Sequence, residues 1–367
     1  MRLSKLGLVA VLLSVAGSND ASALDPGYLR SLPKSEGPVE VQIGFHVFDI
    51  TDVSEKDETI DFDGAIYMRW MDPRQAYDPA DFGYSAADFP PGDYSRSPPR
   101  LYQGDFAVKE VFEGWRPRIK FANGIADRQK TFMAVGVWPD GSVGYTDHFQ
   151  AKAETPMNLR RFPFDQQSLG LYLYPIFHQR DEVQLVHVES MSGTWQQDSG
   201  IAEWTKRGIQ LEEHTVEYAH LGGRTAVYSQ LLVTIDLARR PGHILLSIIL
   251  PLLVLVSLTW CIFWLDEESV ANRVNISFVG ILSVVAYYLV IQDSVPEIPY
   301  LTMMDAFIIA TFLILAATVV VSIVVDKLNR AGRKDDGDRL DRISRWAFPL
   351  GYTLVTAVIA LVFLKMG

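Results

Sequence analysis

The chain has 367 residues, 49% of them hydrophobic and 21% charged, with a mean hydropathy of +0.10. Its net charge of −11, from 33 Lys+Arg against 44 Asp+Glu, argues against a non-specific nucleic-acid binder. One cysteine, Cys261, excludes an intrachain disulfide scaffold and a Cys-rich metal site.

Charged and apolar residues lie in different parts of the chain. Residues 24–240 hold 32 acidic and 22 basic residues, a net of −10, whereas residues 241–367 hold 11 and 9. The first part reads as a water-facing domain and the second as membrane. Ahead of both, Arg2 and Lys5 precede an apolar run from Leu6 to Ala16 and the small residues Ala21-Ser22-Ala23. That run is too short to span a bilayer, so residues 1–23 read as a secretory signal peptide and residues 24–240 as an exported domain that folds without disulfides.

From Pro38 to Asp236 the dominant period is two, as in Val39-Glu40-Val41-Gln42-Ile43-Gly44-Phe45. Asp140-Gly141 is expected to form a type I′ hairpin turn, and Gly222-Gly223 a second hairpin tip. Many short strands over about 200 residues predict an all-β, immunoglobulin-like sandwich. Residues 75–104, rich in Pro, Tyr and Asp, read as a long surface excursion.

Four uncharged stretches follow: Ile244–Leu265, Val274–Gln292, Ala306–Val325 and Trp346–Leu364. Each is close to the roughly 20 residues that cross a bilayer, which predicts an all-α four-helix transmembrane domain over 241–367. Four crossings return the C-terminus to the side of the N-terminus. The loop 326–345 then faces the cytoplasm and carries seven Lys/Arg, as the positive-inside rule requires.

Several short motifs sharpen this outline. Asn158-Leu159-Arg160-Arg161-Phe162-Pro163-Phe164-Asp165 lies in the exported domain, after Trp70-Met71-Asp72-Pro73-Arg74 and Trp115-Arg116-Pro117. Arg239-Arg240-Pro241 leads into the first crossing, and Pro296-Glu297-Ile298-Pro299-Tyr300 links the second to the third. In this order they resemble the pentameric ligand-gated ion channels, the Cys-loop receptor superfamily, over residues about 38–367. Thr155 and Leu169 stand where two cysteines bracket the eukaryotic loop, and the short 326–345 loop leaves no room for a large intracellular domain. Both point to the bacterial branch.

The second crossing carries a stripe at Asn275, Val279, Leu282, Ala286, Leu289 and Asp293, with steps of four and three that keep one face of a helix. It runs from an amide through apolar residues to a carboxylate. On physics alone a packed bundle seam fits as well as a pore. The resemblance implies the pore, lined by five copies and gated by dewetting at its apolar middle.

The resemblance also places a selectivity region at Glu267, Glu268, Ala271, Asn272 and Arg273. Its indicators conflict, and the acidic exported domain tips the expectation toward cations. A coupling junction is implied at Glu55, Asp57, Phe162, Pro163, Phe164, Asp165, Arg239 and Pro299, with Asp165 expected to pair with Arg239. For the ligand, Tyr174, Phe177, Tyr218 and Tyr228 are expected from one subunit and Tyr67 and Arg69 from its neighbour. His220 and Arg224 near the hairpin tip, and seven histidines in all, admit an acidic or proton-linked stimulus.

No Ser-His-Asp or metal-ligand spacing rises above chance, and His178 and His187 read as surface histidines. The chain is therefore expected to be no enzyme and to need no cofactor. Its expected partners are four identical subunits, a small-molecule ligand or protons, permeant inorganic ions and the lipid bilayer of a bacterial inner membrane, with both termini periplasmic. An anion-selective channel and a non-conducting ligand sensor are the alternatives.

Overall fold

Alternating side chains build the first body. The computed structural model describes residues 26–126, 128–192, 202–219, 225–264, 270–292 and 298–365, so the expected signal segment 1–23 and the expected hairpin tip at Gly222-Gly223 lie outside the described residues. After a short helix α1 (Pro26–Arg30), β1 (Val39–Ser54) buries Val39, Val41, Ile43, Phe45 and Val47, while Glu40, Gln42 and His46 are more exposed.

One sheet also contains β2 (Thr59–Met71), β3 (Arg100–Gln103), β5 (Gln129–Val137), β6 (Ser142–Glu154) and β8 (Val183–His187), in the order β3-β5-β6-β2-β1-β8. The other runs β4-β7-β10-β9, from β4 (Ile119–Phe121), β7 (Gln166–Pro175), β9 (Trp204–Ala219) and β10 (Thr225–Arg239). Phe45, Phe62, Phe121 and Phe149 interlock between the sheets, with ring centroids 5.5 to 6.3 Å apart. At the two cysteine-like positions Thr155 and Leu169 are both buried, so packing holds this loop where a disulfide is absent.

Two local expectations change. The 138–141 turn is closed by Gly141 N–H donating to Trp138 O (3.0 Å), and Gly141 takes positive φ (88°). It is not type I′, because Pro139 fixes a negative φ at the first central position. The 75–104 excursion is partly ordered by 3₁₀ turns capped by Asp72 and Asp78, and it ends in β3, which pairs with β5.

Four helices long and apolar enough to cross a membrane form the second body. The first, Gly242–Trp264, begins with α2 (Gly242–Ile244) and passes through a wide π-type turn (Leu245–Ile249) into α3 (Leu250–Trp260). Pro251 opens α3, and its ring, which denies the usual i−4 hydrogen bond, accounts for the wide turn before it. The others are α4 (Val270–Gln292), α5 (Met303–Arg330) and α6 (Lys334–Lys365). Most of the expected 326–345 loop is helical, and only 331–333 break it. Asp326–Arg330 (2.8 Å) and Arg333–Asp336 (2.7 Å) ion pairs favour charged turns beyond the apolar runs.

Met303 N–H donates to Arg160 O (2.9 Å) and Arg161 Nη2 to Leu364 O (3.0 Å). The start of α5 and the end of α6 therefore abut the sandwich, and the basic 331–333 turn lies at the far end.

Candidate functional site

The last residue of β10 is the centre of the junction between the two bodies. Arg239 Nε lies 2.7 Å from Asp165 Oδ1, its Nη1 lies 2.6 Å from Glu55 Oε1, and its N–H donates to Asp165 O (3.1 Å). The guanidinium sits 4.1 Å over Trp204 and 4.9 Å over Phe162. Burial opposes its charge, but the bonds from Asp165 and Glu55 hold its pKa above the ordinary value. Gln167 fixes the acid from behind, donating to Asp165 Oδ2 (2.7 Å) and to Asn158 O (2.9 Å).

Of the other expected junction residues, Phe162 and Pro163 are buried in this group, while Phe164 and Pro299 are exposed. Asp57 closes its own turn through Ser54 Oγ (3.0 Å) and does not reach Arg239. The contact to the membrane linker runs through Tyr300, whose hydroxyl accepts from Leu159 N–H (3.1 Å) and donates to Met157 O (3.4 Å). Tyr300 belongs to the linker motif already noted, but its partners, like the roles of Gln167 and Trp204, depend on packing that no local pattern marks.

The structure brings Tyr174, Tyr218 and Tyr228 together, with centroids 5.5 to 5.9 Å apart. Phe177 stands off from them, exposed, with the Arg118 guanidinium 5.5 Å from its ring. Tyr67 and Arg69 lie on β2 in the other sheet. Arg69 is already engaged by its own chain, 3.7 Å over Tyr94 and 5.8 Å from Trp138. Tyr67 packs between His46 (5.1 Å) and His148 (6.2 Å). Burial lowers the His46 pKa, against a bond to Met191 O that raises it, and His148 lowers it further.

His178 and His187 are not free surface residues. Trp115 Nε1–H donates to His178 Nε2 (3.3 Å), and His187 meets Ser192 Oγ (3.1 Å). Among the described residues no group of His, Cys, Asp or Glu has the geometry of a metal site.

A cavity of about 950 Å³ was not anticipated. Arg116, Arg118, Lys120, Arg128 and Lys130 line it together with Asp105 and Asp147, and Asp147 pairs with Lys130 (3.1 Å) and Arg128 (3.7 Å). Burial holds Arg116, Arg128 and Lys130 below their ordinary pKa values. The two-residue spacing of these cations was the signal in the sequence, and Arg116, Arg118 and Lys120, which Asp147 does not pair, give this wall a basic character.

In the membrane part, Asn275, Val279, Leu282, Ala286 and Leu289 are all exposed, at 63, 65 and 57% for Val279, Leu282 and Leu289. Arg273, Ser277, Gly280 and Val284 form the opposite, buried face of α4. The stripe is therefore not a seam within this chain's own bundle. Asp293, Glu267 and Glu268 lie outside the described residues, Ala271 is in the first turn of α4, and Asn272 is exposed.

Residues 25–241 match the family model for the neurotransmitter-gated ion-channel ligand binding domain, and residues 248–337 that for the neurotransmitter-gated ion-channel transmembrane region. A two-sheet sandwich ahead of four apolar helices is the build of a ligand-gated ion channel, and the chain belongs to the neurotransmitter-gated ion-channel family. Members of this family are channels, not enzymes. Its single cysteine leaves it without the Cys-loop disulfide.

Among curated proteins, the chain is 25% identical to a proton-gated ion channel of Gloeobacter violaceus, over 90% of this chain and 85% of that one. It is 23% identical to the human gamma-aminobutyric acid receptor subunit rho-3, over 88% of this chain and 64% of that one. A pH-sensitive chloride channel 2 of Drosophila melanogaster is 21% identical, over 80% of this chain and 55% of that one.

Proposed function

We propose that five copies of this chain surround an ion pathway lined by Asn275, Val279, Leu282, Ala286, Leu289 and Asp293 of the second crossing. The observation that carries this reading is the exposed apolar stripe of α4, which its own bundle leaves uncovered. Five such faces around an axis line a central pathway and form a narrow apolar throat at Val279 and Leu282. Such a throat closes by dewetting and conducts when widened.

The stimulus acts on the exported sandwich. In a pentamer the Tyr174, Tyr218 and Tyr228 cluster on one sheet would face the Tyr67 and Arg69 side of the neighbouring subunit's other sheet, and in this reading that seam is the agonist site. Protons are the favoured stimulus, supported by the proton-gated relative and by the His46 and His148 pair beside Tyr67. Movement there reaches the membrane through Asp165, Arg239 and Tyr300. Residues 24–240 face the periplasm of a bacterial inner membrane after removal of residues 1–23, residues 241–367 span it, and 326–345 face the cytoplasm.

The pathway favours cations. The acidic sandwich concentrates them within about a Debye length, ~8 Å at physiological salt, and Arg273 points away from the stripe. The test is ion flux into liposomes holding the purified protein when the outer pH is lowered. Sodium flux blocked by Leu282→Trp supports the reading; a chloride flux moves it to an anion channel. Proton binding without flux leaves a sensor in its place.

A further inference from the structure

Resting on the reading of α4 as the pore helix, we infer that Asp341 of α6 sets the ion preference of the pathway by masking the charge of Arg273. Arg273 is the one basic residue of α4, four positions below Ser277 on the buried face. Residues two apart on a helix point about 200° apart, so Arg273 and Asn275 project to opposite sides. Arg273 Nη1 lies 3.0 Å from Asp341 Oδ1 and 2.9 Å from Oδ2. Both side chains are almost enclosed, at 8 and 10% exposure within one chain, and assembly only covers them further.

Stability alone gives no reason for this pair, because replacing a buried ion pair by well-packed apolar residues of similar volume is often neutral or stabilising. The charges matter if the pathway feels them. Five unmasked guanidinium groups at the inner mouth would draw anions and repel cations. Paired with Asp341, each becomes a dipole whose field falls off faster than that of a lone charge. The neighbours on α6 do not replace Asp341: Asp338 and Arg345 act on it from one turn away on either side, and Arg345 donates through Nε to Phe263 O (2.7 Å). The fourth helix thereby acts on selectivity without touching the pore.

The experiment measures reversal potential under a NaCl gradient. The background is Leu282→Ser, whose polar throat is expected to wet and leak without any agonist. Adding Asp341→Asn is expected to move the reversal potential toward chloride equilibrium. The chloride-to-sodium permeability ratio should rise roughly tenfold, the lower end of what a focused charge does to local ion concentration. The Arg273→Gln/Asp341→Asn pair removes both charges and should restore the background value.

A leaking background whose reversal potential is unmoved by Asp341→Asn overturns this inference and leaves the channel reading standing. Where Asp341→Asn does not assemble, the neutral pair decides: a shift toward sodium equilibrium means that ions felt Arg273 all along, and overturns it. A background that does not leak removes the channel reading and this inference together.

Discussion

Arg239 and Asp165 meet twice, side chain to side chain at 2.7 Å and backbone to backbone at 3.1 Å, with both side chains almost fully out of water. They tie the last residue of the sandwich, three residues before the first crossing begins, to the loop that receives the start of α5. Any movement of β10 relative to that loop must strain or break this pair.

Removing one partner strands the other charge in a buried site, which costs about 3–5 kcal/mol. Arg239→Ala and Asp165→Ala are each expected to lower the unfolding midpoint and to leave assembled protein with little or no evoked current. The double variant should lose less stability than the two singles added together. Additive losses in a double-mutant cycle, or normal currents from Arg239→Ala, would show that the pair couples nothing.

Tyr300 makes a subtler link. Tyr300→Phe keeps the ring and removes the hydroxyl, leaving the buried Leu159 N–H without its acceptor, a loss of about 1–3 kcal/mol. Because the bond joins the sandwich loop to the segment before α5, activation is expected to need a stronger stimulus while surface expression holds. Dose-response curves for the two proteins, matched for expression, check this; superimposed curves would remove Tyr300 from the coupling path.

Much of this organisation was legible in the sequence. Period-two runs and uncharged stretches have large, local signals, so the two sheets and four helices stood out, as did the Asp165–Arg239 pair through the resemblance. What stayed hidden depends on long-range packing. The partner of Arg273 lies 68 residues away on another helix, and nothing local marks Asp341. The stacking of Arg69 on Tyr94 was hidden because Tyr94 comes from an irregular excursion. The helical continuation through 326–345 was missed because charged residues end an apolar run without ending a helix.

The sandwich should lose stability in acid through His46. Burial first, and then His148, set its folded pKa below the unfolded value of about 6.5. The unfolded chain therefore binds the proton more readily, so this contribution is complete above about pH 6.5 and is lost as pH falls through the folded pKa. Thermal melts of the full protein across this range should show His46→Gln losing less than the wild type on acidification. Parallel pH profiles for the two would contradict the assignment.

The central claim is that the exposed stripe of α4 faces the ion pathway. Single cysteines at Val279, Leu282, Ser277 and Val284, in a Cys261→Ser background, can be exposed to a charged water-soluble thiol reagent during current recording. The account predicts rapid, irreversible block at 279 and 282 and no effect at 277 and 284, which lie on the buried face. Block at 277 and 284 with 279 and 282 unreactive would contradict it.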